Sequence, residues 1–236
     1  MRYVDYTKSI ITSILFISPF LFIYEFIAFF KFLNLPYQIR NTADIIIRDF
    51  IGLFTNNVMF LYSITIAIIF ILIFISKFSE IKNYNFNYKY ISFMYLEGLF
   101  WGLLLILFLN GFTYFNTSYQ GTVVDDYLLS FYFCVGAGIW EELLFRFICI
   151  NFIFFILKYF RFSISISIVV SFIISSIFFS LFHYIGSMGD IFTIYSFIYR
   201  FLGGIYLSIL YYYRGIGISM MTHFVYDFLL ITLPIL

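Results

Sequence analysis

Residues 127–157 read YLLSFYFCVGAGIWEELLFRFICINFIFFIL, an apolar run with Glu141, Glu142 and Arg146 set into its middle. About 20 such residues are enough to cross a bilayer as a helix. An ionised side chain at the centre of a spanning helix costs on the order of 2.5–3.5 kcal/mol on insertion scales. A chain keeps three of them together when they pair, line a wet cavity or do chemistry.

The rest of the composition agrees with the membrane reading. Of 236 residues, 64% are hydrophobic and 11% charged, with a mean hydropathy of +1.03. Soluble domains lie near 45–50% apolar and about 25% charged, so a soluble globular protein is excluded. The formal net charge of +1 gives no reason to expect a nucleic-acid partner. Cys134 and Cys149 share one stretch; on a helix they stand about 22 Å apart at ~1.5 Å per residue, too far for a disulfide.

Seven windows are long and apolar enough to span: 9–30, 54–76, 92–110, 127–157, 164–184, 191–212 and 215–235. The first follows Arg2 and Lys8 without a small-residue cleavage site and reads as an uncleaved span. The fourth is long enough to tilt or to run on past the membrane. Segment 37–53 mixes Arg40, Arg48 and Asp49 with Ile39, Ile45, Ile46, Ile47 and Phe50, and reads as an interfacial amphipathic helix. As a short re-entrant span it would raise the count to eight. The fold class is therefore an all-α polytopic transmembrane bundle of seven, possibly eight, spans. With the N-terminus inside, in the cytoplasm, the inner segments hold Arg2, Lys8, Lys77, Lys82, Lys89, Lys158, Arg161 and Arg214 and the outer ones only Lys31, Arg40 and Arg48, the bias that the positive-inside rule requires. Glu25 and Glu97 fall near the ends of their spans and read as snorkelling or interface-exposed groups.

The remaining intramembrane polar groups form three elements. In Glu141-Glu142-x-x-x-Arg146, helical spacing makes Glu142 and Arg146 i, i+4 neighbours in the favourable order, while Glu141 points about 100° away. A structural ion pair with a spare carboxylate accounts for this element as well as catalysis does. Phe179-x-x-x-His183 follows on the fifth span, and a lone His there is more often a satisfied core residue. His223-x-x-x-Asp227 lies on the seventh, an imidazole stacked over a carboxylate that can fix its tautomer; interhelical polar glue is the bland alternative. Together they say more. His183 and His223 are the chain's only histidines, and both fall within the membrane on separate helices. Between them, Arg200 precedes Gly203-Gly204, a pair that permits close helix approach. The expected outcome is one cavity shared by spans four, five and seven, although the window boundaries leave His183 near the end of its helix, with Glu141 and His223 deeper.

In this order and context the three elements resemble the CPBP family, which contains the CAAX prenyl endopeptidases and bacterial relatives associated with bacteriocin processing and self-immunity. The resemblance covers about residues 127–235 and divides the chain into N-terminal helices with the interfacial segment (1–126) and catalytic core helices (127–236). It implies that Glu141 with His183 activates a water for attack on a peptide carbonyl, and that His223 with position 227 stabilises the oxyanion. Glu142, Arg146, Phe179 and Arg200 are supporting. Asp227 departs from the Asn of the prenyl endopeptidases: an ionised Asp only accepts hydrogen bonds, which casts it as the orienter of His223. The expectation is a peptidase without cofactor; zinc on Glu141, His183 and His223 is the alternative. Expected partners are a peptide or small membrane-protein substrate and the lipid bilayer, in a bacterial cytoplasmic membrane. A non-catalytic immunity or scaffold protein, or a proton-coupled transporter, would use the same residues.

Overall fold

The computed structural model describes residues 2–31, 39–52, 82, 84–113, 127–185 and 189–232. These residues form helices and connecting segments, with no strand among them. In chain order the helices are α1 (Tyr3–Lys8), α2 (Ile10–Lys31), α3 (Thr42–Gly52), α4 (Tyr88–Thr113), α5 (Tyr127–Gly136), a π-helix (Ala137–Ile150), α6 (Asn151–Tyr159), α7 (Ile164–Phe182), α8 (Ile194–Arg214) and α9 (Ile216–Thr232). The expected second span, 54–76, lies outside the described residues.

Among the described residues, four helices are long and apolar enough to cross a membrane: Ile10–Lys31, Tyr88–Asn110, Ile164–Phe182 and Ile194–Arg214. The shorter α9 is apolar as well. Large apolar side chains face outward along these helices, among them Phe22, Phe30, Leu96, Leu107 and Val169. Such a continuous apolar exterior is what hydrocarbon contact requires and what a soluble surface avoids.

Local signals set the helix limits. Ser163 caps α7 by accepting from the Ile166 N–H, and Thr193 caps α8 by accepting from the Ser196 N–H, which satisfies donors that have no intrahelical partner. At the α8–α9 junction Gly215 has φ +87°, and a Cβ there would stand 2.7 Å from the Thr7 carbonyl. Only glycine gives both the left-handed backbone and the space for α1.

The centre of the bundle is α9, which packs against α2, α4, α5, α8 and the π-helix. Close approach depends on small residues, since helices in lipid gain little from burying apolar surface against one another. Gly98 and Gly102, four residues apart on α4, seat Met221 and Val225 of α9. Gly138 of the π-helix meets Met220 and Phe224 of α9, and Gly204 of α8 meets Ser176 of α7.

Glu97 is not a snorkelling group. Its carboxylate takes both Arg214 Nε, at 2.5 Å, and Nη2, at 2.6 Å, together with the Tyr3 hydroxyl at 2.7 Å and the Trp101 indole N–H at 3.1 Å. This cluster ties α1, α4 and α8 together at the end of the bundle that carries the N-terminus. Glu25 is half exposed but is likewise paired, with Arg40 and Arg48.

Any Cβ at Gly102 would lie 2.6 Å from Val225 Cγ1 and 3.2 Å from the Thr222 carbonyl. Gly102→Ala is expected to destabilise the folded protein by about 1–3 kcal/mol, the usual cost of overpacking. Thermal unfolding in detergent checks this; an unchanged midpoint would contradict the packing described here.

Candidate active site

The stretch Ala137–Ile150, which holds both glutamates and Arg146, is wound as a π-helix. Such winding is rare and is frequently found at functional sites. The wider turn does not separate Glu142 from Arg146: Nη1 stands 3.0 Å from Glu142 Oε1, as the i, i+4 spacing anticipates. Both side chains are fully buried.

Glu142 makes two further contacts, both to α9. Ser219 Oγ donates to Oε2 at 2.5 Å, and His223 Nδ1 lies 2.9 Å from Oε1. Because a carboxylate accepts, His223 carries its proton on Nδ1. The nearest carboxylate to His223 is thus Glu142; Asp227 Oδ2 lies 3.5 Å from the other ring nitrogen, Nε2.

The Arg146 guanidinium lies 4.2 Å from the centre of the Phe179 ring, a cation–π contact that matters in the absence of water. Phe179 also meets His183 and His223 edge to face, at 5.0 and 5.7 Å between ring centres. One aromatic ring therefore touches the buried cation and both imidazoles.

His183 terminates α7, and its Nδ1 lies 2.8 Å from the Phe179 carbonyl. A carbonyl can only accept, so Nδ1 bears the proton and Nε2 presents its lone pair. That nitrogen stands 4.0 Å from Glu141 Oε2, and His223 Nε2 stands 4.0 Å from the same oxygen. The three-helix convergence is thus present, although His183 lies at its helix end. Glu141 Oε2 is buried and has no hydrogen-bond partner among the described residues. Its other oxygen accepts from Asn41 Nδ2 at 2.9 Å.

A pocket of about 140 Å³ opens beside this group, lined by Thr42, Glu141, Phe182, His183, Ile185, Gly189 and Asp190. Asp190 also bonds to the end of α7, its N–H donating to the His183 carbonyl at 2.9 Å. Arg200 pairs with Asp190 and lies over the Tyr184 ring, at the pocket rim rather than against Glu141.

Asn41 and Thr42 carry no mark in the sequence that sets them apart, because segment 37–53 reads as an interfacial helix. The helix is there, but its polar side is turned inward. Asp44 is fully buried and Arg40 nearly so, whereas Ile45, Ile46 and Phe50 are exposed. An amphipathic period looks the same whether the polar face meets water or a buried partner.

Tetrahedral zinc with bonds of about 2.0–2.1 Å holds its ligand atoms about 3.3 Å apart. The 4.0 Å separations from Glu141 Oε2 are too wide for that, and no group of three or more His, Cys, Asp or Glu among the described residues is placed to hold a metal ion. Two atoms 4.0 Å apart can both hydrogen-bond one water at about 2.8 Å.

Apolar spanning helices around a buried acid–imidazole cluster define the class: an integral membrane protein with a polar site inside its helical bundle. Residues 123–229 match the family of type II CAAX prenyl endopeptidase Rce1-like proteins. The three sequence elements fall inside the matched stretch; Asn41 and Thr42 lie outside it. Comparison with curated proteins and with solved structures returns no match.

Glu142→Ala removes the carboxylate paired with the buried Arg146 and is expected to destabilise the fold by about 3–5 kcal/mol. Adding Arg146→Met should recover most of that loss. The midpoint of thermal unfolding in detergent measures both; a single variant as stable as the wild type would contradict the clamp.

Proposed function

We propose that the protein hydrolyses a peptide bond within or beside the membrane, with Glu141 as the catalytic carboxylate. The observation that carries this reading is the unpartnered Glu141 Oε2, buried and approached at 4.0 Å by the Nε2 atoms of two histidines from different helices. Structural polar groups are placed to satisfy one another; this oxygen is left for something else.

A water held between Glu141 Oε2 and His183 Nε2 attacks the carbonyl carbon of the scissile bond. Its proton passes to Glu141 as the new C–O bond forms. His223, doubly protonated, donates from Nε2 to the oxyanion; Glu142 on Nδ1 fixes its ring, and Asp227 is a second carboxylate beside Nε2. As the tetrahedral intermediate collapses, the C–N bond breaks and Glu141 returns the proton to the leaving amine. The reaction uses no metal. General acid–base transfer of this kind is worth about 10²–10⁴-fold, and the oxyanion donor adds a term of similar size.

The continuous helical stretch from Tyr127 to Tyr159 and α9 add two crossings to the four long helices. The N-terminus lies on the cytoplasmic side of a bacterial membrane, supported by Arg2, Lys8, Lys89, Lys158, Arg161 and Arg214 at that end. The pocket opens at the opposite end, so a substrate peptide reaches it from the other face.

The test is cleavage of a panel of prenylated and unmodified hydrophobic peptides by the reconstituted protein. Glu141→Ala and His183→Ala are expected to lower the rate by at least about 10²-fold while remaining folded, and wild-type activity should survive exhaustive chelation. A wild type that cleaves nothing, or a Glu141→Ala variant of full activity, would contradict the assignment.

A further inference from the structure

We propose that Asn41, from outside the family-matched stretch, is a positioning residue that selects which oxygen of Glu141 does the chemistry. The inference rests on Glu141 as the catalytic carboxylate.

The Asn41 amide is committed at both ends. Its Oδ1 accepts from the Ala43 N–H at 2.9 Å, at the start of α3, so the group facing Glu141 is Nδ2–H, which donates to Oε1 at 2.9 Å. Flipping the amide would set oxygen against oxygen and N–H against N–H. A carboxylate whose two oxygens were equally free could turn about its terminal bond and exchange them. With Oε1 held, Oε2 faces the two histidines. The same bond offsets part of the cost of keeping Glu141 charged in a buried site.

The amide is held in turn by a rigid frame. Asn41 N–H donates to the Tyr24 hydroxyl at 3.1 Å, and that hydroxyl donates to Asp44 at 3.2 Å. The Tyr24 ring stacks on Tyr132 with centres 4.5 Å apart and planes 2° from parallel, and the Tyr132 hydroxyl donates to the Ile39 carbonyl at 2.8 Å. Arg40 grips both oxygens of Glu25 at 2.9 Å and Asp44 at 3.0 Å; Arg48 bridges the same two acids at 3.0 and 2.7 Å. Four charges and a tyrosine pair thus fix a short segment whose tip is one amide on Glu141. A segment that merely lay at the interface would have no need of such a frame.

The experiment uses the full chain in liposomes, the best-cleaved peptide of the panel, and the variants Asn41→Ala, Asn41→Asp and Glu141→Gln. Asn41→Ala is expected to lower kcat about 10- to 100-fold, as for loss of a hydrogen bond to a charged group, with KM nearly unchanged. Asn41→Asp keeps the acceptor for Ala43 but sets a carboxylate beside Glu141. Like charges favour protonation, so the acidic limb of its kcat profile should move to higher pH. If Asn41→Ala fails to fold, Asn41→Asp decides. An inactive Glu141→Gln beside Asn41 variants with wild-type kcat and pH profile would overturn this inference and leave the proposed function standing, as would Asn41 variants that raise KM alone. An active Glu141→Gln, or a wild type that cleaves no peptide, would overturn the proposed function, and this inference with it.

Discussion

Glu142 is a carboxylate with no exposed surface inside a membrane protein, and the arrangement of the site depends on how it is satisfied. Arg146 lies beside it, and Ser219 and His223 reach it from α9. An uncompensated charge in that position would cost several kcal/mol, so the π-helix and α9 must meet in one register. Meeting there fixes the His223 ring through Nδ1 and turns Nε2 toward Glu141. Phe179 completes the arrangement from α7, with one face under the Arg146 guanidinium and both imidazoles steeply inclined to its ring. The conspicuous acidic pair therefore splits: one carboxylate organises the helices, and the other keeps an oxygen with no hydrogen-bond partner among the described residues.

Much of this was legible in the residues. Apolar windows marked the helices, and the Glu142–Arg146 spacing marked their pair. The two histidines, the only ones in the chain, pointed to a shared site. Other features left no trace. The π winding of Ala137–Ile150 changes backbone hydrogen bonds without a composition that announces it. Ser219 as a partner of Glu142 depends on which face of α9 turns inward, and an almost wholly apolar helix does not declare that. Asn41 was hidden by a genuine ambiguity, because the polar face of an amphipathic helix can be read as facing water when it faces buried acids. Glu97 was misjudged for the converse reason: its partners Arg214 and Tyr3 lie far away in sequence.

The site joins two parts of the chain with different standing. Residues 123–229 carry the family elements. Asn41 and Thr42 come from the preceding region, braced by Glu25, Arg40, Asp44 and Arg48. The reacting groups sit on packed helices, while the segment that covers them is held mainly by charge.

The central claim is that Glu141 acts on a water and does not itself attack the peptide. Single-turnover cleavage in H2(18)O, with excess unlabelled protein over peptide and mass analysis of the newly formed carboxyl terminus, tests it directly. The expected result is one labelled oxygen in the first-turnover product. Unlabelled product, with its new oxygen drawn from the protein, would show Glu141 attacking covalently and would contradict the account.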